Sequence, residues 1–175
     1  MNRSNIILIG MPGCGKSTVG VVLAKAAGYR FLDSDLVIQE QEGMLLSEII
    51  SERGIEGFAE TENRINASIN TEKTVIATGG SVIYGQQAME HFKNIGLVVY
   101  IRLPYEQIKK RLGDLTKRGV SIRPGQTLRE LYDERAPLYE KYADIIVDED
   151  DLDISDTALR IAGLAMDHFA GRAQE

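Results

Sequence analysis

Apolar positions fall along this chain in two alternating rhythms. Short unbroken runs have the size and β-branched content of buried strands: Ile6, Ile7, Leu8 and Ile9, then residues 74–77, 97–101 and 144–147. Between them the apolar residues recur at helical spacing. Val19, Val22, Leu23 and Ala26 stand at i, i+3, i+4 and i+7 and predict a helix over residues 19–27, with Gly28 as its C-cap. Residues 30–33 predict a short second strand. Residues 36–54 read as helical pieces broken at Gly43 and Gly54. A further helix from Glu56 carries Phe58, Glu62, Ile65 and Ile69. Helices are also predicted over 84–94, 104–112, 127–142 and 155–170. Strand alternating with helix implies a parallel α/β sheet of five strands, covered on both faces.

One stretch breaks this rhythm. Residues 113–126 hold Gly113, Gly119, Pro124 and Gly125 around Lys117, Arg118 and Arg123, with little apolar content. The expectation is a basic lid with glycine hinges, whose cations can meet charge on a transferred phosphoryl group.

The glycines after the first strand carry the clearest chemistry. Gly10-Met-Pro-Gly-Cys-Gly-Lys-Ser17 fits G-x-x-x-x-G-K-[ST], and its strand–loop–helix setting is the one this phosphate-binding loop requires. Gly10, Gly13 and Gly15 let backbone N–H groups approach an anion closely. Lys16 adds a full charge for the β- and γ-phosphates, and the Ser17 hydroxyl is a ligand for Mg²⁺. Gly13, Cys14, Gly15, Lys16, Ser17 and Thr18 are therefore the expected nucleotide contacts.

Ligands of open parallel sheets bind beyond the carboxyl ends of the strands. Two more polar clusters fall there. Asp33 and Asp35 end the second strand, and an extended chain would turn both carboxylates to similar sides. One would serve a metal's hydration shell, and the other would orient and deprotonate an acceptor hydroxyl. The competing reading is that one of them caps the next helix. Gly79 and Gly80 close the third strand and permit close approach of a substrate.

Composition narrows the class. The chain has 175 residues, 43% hydrophobic and 26% charged, which is one domain able to bury an adequate core. A net charge of −6 argues against a nucleic-acid surface. Cys14 is the single cysteine, so no intrachain disulfide forms, which suits a reducing cytoplasm. No apolar run approaches the roughly 18 residues of a membrane span, and the N-terminus leads straight into the first strand. The expected protein is a cytoplasmic monomer acting on a small molecule. Neither N-K-x-D nor D-x-x-G occurs, which disfavours a switch GTPase. His91 and His168 lack metal-ligand partners at suitable spacing. The acidic run 148–153 reads as a solvated turn rather than a metal site.

Together the phosphate loop, Phe31-Leu-Asp33-Ser-Asp35, Phe58 followed by Glu62, Ala77-Thr-Gly-Gly80, the basic loop and Arg135-Ala-Pro-Leu-Tyr139 resemble the shikimate kinase family, in its order and spacing over nearly the whole chain. The resemblance implies a P-loop NTPase of the nucleoside-monophosphate-kinase type: a three-layer fold with a five-stranded parallel sheet, a substrate-binding helical segment at about 34–64 and a lid at about 113–126. It implies ATP, Mg²⁺ and transfer of the γ-phosphate to the 3-hydroxyl of shikimate. By resemblance Ser17 and Asp33 serve Mg²⁺, Asp35 holds the ring hydroxyls and acts as base, and Gly79 and Gly80 line the acceptor pocket. Arg111 lies near the adenine, Arg118 is the lid cation with Arg123 as the second choice, and Arg135 grips the substrate carboxylate.

Ala59 stands where the family carries a carboxylate-binding arginine, and Ser81 where it has a third glycine. Helical spacing places Ala59 on the stripe of Glu62, and Arg102 is the expected replacement cation. These departures keep two other readings open: a kinase of another small hydroxylated metabolite, and a non-catalytic nucleotide-binding module.

Overall fold

The strongest apolar run forms the middle of the sheet. In the computed structural model, which describes residues 3–112, 122–149 and 153–172, strand β1 (Asn5–Ile9) is buried at every position. It pairs in parallel with β3 (Thr74–Ala77) on one side and β4 (Gly96–Arg102) on the other, so that Ile7 stands between Ile76 and Val98. The strands β2 (Arg30–Asp33) and β5 (Ile145–Asp148) form the two edges, giving the order β2-β3-β1-β4-β5 with all pairs parallel. Buried Asn5 ties the amino end of this sheet together. Its side-chain amide donates to the carbonyls of Thr71 (2.8 Å) and Ile95 (2.9 Å), and its oxygen accepts from the Thr74 N–H (3.1 Å).

The helices follow the sequence pattern closely. They are α1 (Lys16–Ala27), α2 (Ser34–Glu42), α3 (Leu46–Ser68), α4 (Gln86–Ile95), α5 (Tyr105–Leu112), α6 (Leu128–Tyr142) and α7 (Ile154–Arg172). Gly28 caps α1 in the left-handed region, and Gly43 does the same for α2. Gly54 (φ 72°) interrupts α3, so the two pieces foreseen on either side of it form one kinked helix. The short 3₁₀ turn Val82–Tyr84 had no apolar period to announce it. His91 is half-buried, with its ring 2.7 Å from the Ile69 carbonyl, which is a structural contact.

Two apolar clusters result. The large one packs helices onto both sheet faces. The smaller one, Ile38, Ile49, Phe58 and Ile65 with Met44 and Leu46 against it, belongs to α2, α3 and the turn between them. That small core holds Phe58, Glu62 and Leu46 over the carboxyl end of the sheet.

Candidate active site

The phosphate loop is preshaped for an anion. Gly13 (φ 79°) and Gly15 (φ 93°) occupy backbone conformations costly for any other residue, and a Cβ on Gly13 would lie 2.9 Å from the Leu112 side chain. Lys16 is buried and folds back over the loop. Its Nζ donates to the carbonyls of Gly10 (2.8 Å) and Met11 (3.0 Å). A lysine spanning its own loop is a compact positive charge already partly desolvated. Cys14 is fully buried, and its backbone N–H donates to the Met11 carbonyl (3.1 Å). Burial pushes its thiol above the ordinary range, so it is an inert packing residue.

The acidic pair is arranged differently from a continuing strand. The chain enters α2 at Ser34, and Asp33 is its N-cap, accepting from the Asp35 N–H (3.0 Å). The second Asp33 oxygen accepts from the Ser17 hydroxyl (2.7 Å). The capping reading and the metal-side reading thus describe the same residue. Asp35 sits in the first helical turn and lines the cavity, so the expectation of two carboxylates on one strand face is corrected. Its Oδ1 is out of solvent reach with no hydrogen-bond partner. Burial, then the Asp33 charge, push its pKa up to about 6 against the pull of Lys16.

These groups line one cavity of about 390 Å³ at the carboxyl ends of the strands. Gly13, Gly15, Lys16, Ser17 and Thr18 form one side of it. Asp35, Glu62, Gly79, Gly80 and Arg135 form the other. Gly79 is wedged between two carboxyl groups: a Cβ there would collide with Glu62 Oε1 and lie 2.9 Å from Asp35 Oδ1. Gly80 faces Arg135, whose Nη1 lies 3.2 Å from where a Cβ would stand, and its carbonyl accepts from the Tyr139 hydroxyl (2.6 Å).

Glu62, which the resemblance turns toward the acceptor pocket, lines the cavity; it is 2% exposed, and its Oε1 has no hydrogen-bond partner. Burial pushes its pKa up to about 7, assisted by Asp35 and opposed by the Ser81 hydroxyl, Arg135 and Lys16. The spacing from Phe58 and the helical stripe shared with Ala59 were its signals. Ala59, expected on the same face, is half-buried and not among the lining residues, which corrects that expectation.

The remaining cations divide. Arg135 is 2% exposed, and its Nε donates to the Tyr84 hydroxyl (3.3 Å). Arg111 reaches Glu149, a buried carboxylate at the end of β5 (3.2 Å), with its guanidinium beside Gly15. Arg102 does not replace the absent pocket cation. It is held by Asp148 (2.5 Å) and Glu140 (3.3 Å) at the β5 edge, because a strand-end arginine beside a strand-end aspartate pairs across the ladder. Arg123 pairs with Glu134. Arg118 and most of the expected lid lie outside the described residues, as do residues 150–152 of the acidic turn.

Among the described residues no helix is long and apolar enough to cross a membrane. No cluster of three or more His, Cys, Asp or Glu side chains suited to a metal occurs among them.

Comparison with known proteins agrees with this geometry. The family model described as shikimate kinase matches residues 12–163. A shikimate kinase of Thermodesulfovibrio yellowstonii is 38% identical over 160 residues, covering 90% of this chain and 92% of the relative. One of Thiobacillus denitrificans is 38% identical over 149 residues, covering 83% and 81%. The solved structure of shikimate kinase from Acinetobacter baumannii in complex with shikimate superposes with a TM-score of 0.84 at 33% identity, covering 95% of this chain and 94% of that one. That of the Aquifex aeolicus enzyme gives 0.75 at 29% identity, covering 95% and 98%. The phosphate loop, the buried carboxylates lining the cavity and the five-stranded parallel sheet therefore have one common explanation: this chain belongs to the shikimate kinase family.

Proposed function

We propose that the protein transfers the γ-phosphate of ATP to the 3-hydroxyl of shikimate. The observation that carries this reading is Asp35. Its buried, unpartnered oxygen lies in the same cavity as Lys16, with Gly79 and Gly80 opening the space between. A carboxylate with a pKa of about 6 is ionised at neutral pH and still basic enough to take a hydroxyl proton as the new bond to phosphorus forms.

The division of labour follows from position. Gly13, Gly15, Lys16 and Thr18 receive the nucleotide phosphates, with Lys16 exchanging its loop carbonyls for phosphate oxygens. Arg111, held by Glu149 beside the loop, is assigned to the adenine by the family resemblance, its guanidinium being a stacking surface for a base. On the acceptor side Asp35 orients the hydroxyl and takes its proton, while Arg135 meets the carboxylate as a charge-assisted fork. The Ser17 hydroxyl, which lines the cavity, and the Asp33 carboxylate that accepts from it are hard oxygen donors in contact with one another, and they fit Mg²⁺. A Mg²⁺ ion held by these two residues would supply neutralisation of phosphate charge. Arg118 is assigned by sequence alone as a cation for the transferring phosphoryl group. With this reading goes a cytoplasmic monomer that engages small molecules and no nucleic acid.

The test is ADP release from MgATP with shikimate beside a panel of other small hydroxy acids and polyols, the product identified by phosphorus NMR. A phosphoester of shikimate is the expected product. Turnover of another hydroxy compound with none of shikimate would move the acceptor assignment. No acceptor-dependent ADP with any compound would leave a nucleotide-binding module.

A further inference from the structure

Arg135 emerges from α6 into the cavity, and its guanidinium has to be aimed. Two phenols touch it, Tyr139 on its own helix and Tyr84, at the end of the 3₁₀ turn that follows Gly79 and Gly80. The Tyr84 hydroxyl donates to Glu134 Oε1 (2.6 Å) and accepts from Arg135 Nε (3.3 Å), and the guanidinium carbon lies 5.4 Å from the ring centroid. A phenol has one proton. Donating it to Glu134 turns a lone pair toward Arg135, so the two bonds are mutually directed. With Nε held from behind, the Nη end of the guanidinium is the part presented at Gly80.

Glu134 is itself fixed by more than Tyr84. It accepts from Gln126 Nε2 (2.8 Å) and pairs with Arg123, both in the segment that leads into α6. Its carboxyl lies below the usual range because of the Tyr84 hydrogen bond first, then Gln126 and Arg123. It therefore remains an ionised acceptor through neutral pH.

We propose that Tyr84 is a positioning residue for acceptor recognition: its hydroxyl, anchored on Glu134, sets the angle at which Arg135 meets the acceptor's anionic group. The proposal rests on the reading of Arg135 as the acceptor's carboxylate ligand. It adds a determinant of that recognition that lies outside the phosphate loop and the Asp35 cluster.

Two measurements test it. The first needs no substrate. In the ligand-free protein the Arg135 Nε–H exchange rate, followed by NMR and assigned by loss of the signal in Arg135→Lys, should rise several-fold in Tyr84→Phe. The phenylalanine keeps the ring and loses only the hydroxyl. An unchanged rate overturns the proposal whatever the acceptor is. The second uses steady-state kinetics with the acceptor identified by the ADP-release panel. Tyr84→Phe should raise the acceptor KM about two- to tenfold, as for loss of one hydrogen bond. The KM for ATP and kcat should stay unchanged. In an Arg135→Lys background the same substitution should add no further increase, because an ammonium makes no Nε bond. Equal rises in both KM values, or full additivity with Arg135→Lys, would show a merely structural residue. Shikimate turnover by the wild type with an unaltered KM in Tyr84→Phe sinks the inference and leaves the function standing. A wild type inert on shikimate but active on another acceptor does the reverse if the split appears with that acceptor.

Discussion

Replacing Glu62 with glutamine should stabilise the fold at alkaline pH and do nothing for it in acid. Glu62 is 2% exposed, has an unpartnered oxygen and holds a pKa of about 7 against an ordinary 4.5. The sign follows from where the proton sits. Below pH 4.5 the group is protonated both folded and unfolded, and no penalty exists. As pH rises through that value the unfolded chain gives up its proton while the folded chain keeps it, so stability falls. Above about pH 7 both states are ionised and the whole penalty is present. At about 1.4 kcal/mol per pH unit it amounts to about 3 kcal/mol. Glutamine matches the shape, its carbonyl still accepts from Ser81, and it has no charge to desolvate. Urea unfolding of both proteins at several pH values between 4.5 and 8.5 measures the gap. It should open from near zero to about 3 kcal/mol, most of it between pH 5 and 7. A gap independent of pH, or a wild type more stable at pH 8, would mean that Arg135 and Ser81 offset the burial of this carboxylate, and the reasoning would fail.

Three further perturbations bear on the catalytic side. Lys16→Met should lower kcat at least ~10²–10³-fold, the cost of one preorganised charge donor, with the fold intact by circular dichroism. Asp35→Asn should bind ATP normally and lose ~10²–10⁴-fold in kcat. In the wild type, kcat/KM for the acceptor should fall about tenfold per pH unit below about 6, where Asp35 takes up its proton, and the asparagine variant should lack that limb. Gly79→Ala would drive a methyl into Glu62 and Asp35, so its acceptor KM should rise far more than its ATP KM; equal effects on both would place the acceptor elsewhere.

What could be read from the sequence was local in the chain. The phosphate loop, its strand and its helix are one contiguous unit, and the five strands came from the sequence pattern with ends shifted by at most a residue, whereas α1 begins three residues before the predicted 19 and the two helices expected on either side of Gly54 are one. Gly28 and Gly43 end helices where a left-handed residue is needed, and Gly54 interrupts one. The Asp33–Asp35 geometry was not legible, because it turns on whether the chain leaves the strand before or after Asp35. The Ser34 side chain is buried and Asp33 caps, so the helix begins at once. Arg102 was misplaced for a related reason. Its partner Asp148 is 46 positions away and becomes adjacent only through the β4–β5 register.

The Glu62–Gly79–Asp35 arrangement shows why such contacts escape a linear reading and yet are tightly determined. Glu62 is set by the small core of α2 and α3, Gly79 by the end of a central strand, and Asp35 by the first turn after an edge strand. None of the three has a local reason to be near the others. Parallel pairing brings the ends of β2 and β3 level, with Asp33 opposite Ala77, and Phe58 then pins α3 above them. Once those two packings exist, the only residue that fits between the carboxyl groups is one without a side chain. Glu62 Oε1 and Asp35 Oδ1 both end with no protein hydrogen-bond partner, and a buried carboxyl oxygen left so is costly. On the proposed reading these oxygens accept from the acceptor's hydroxyls, so an acceptor analogue lacking the hydroxyl at that point should lose more affinity than one hydrogen bond alone would suggest; an analogue series in which that deletion costs no more than any other would refute it.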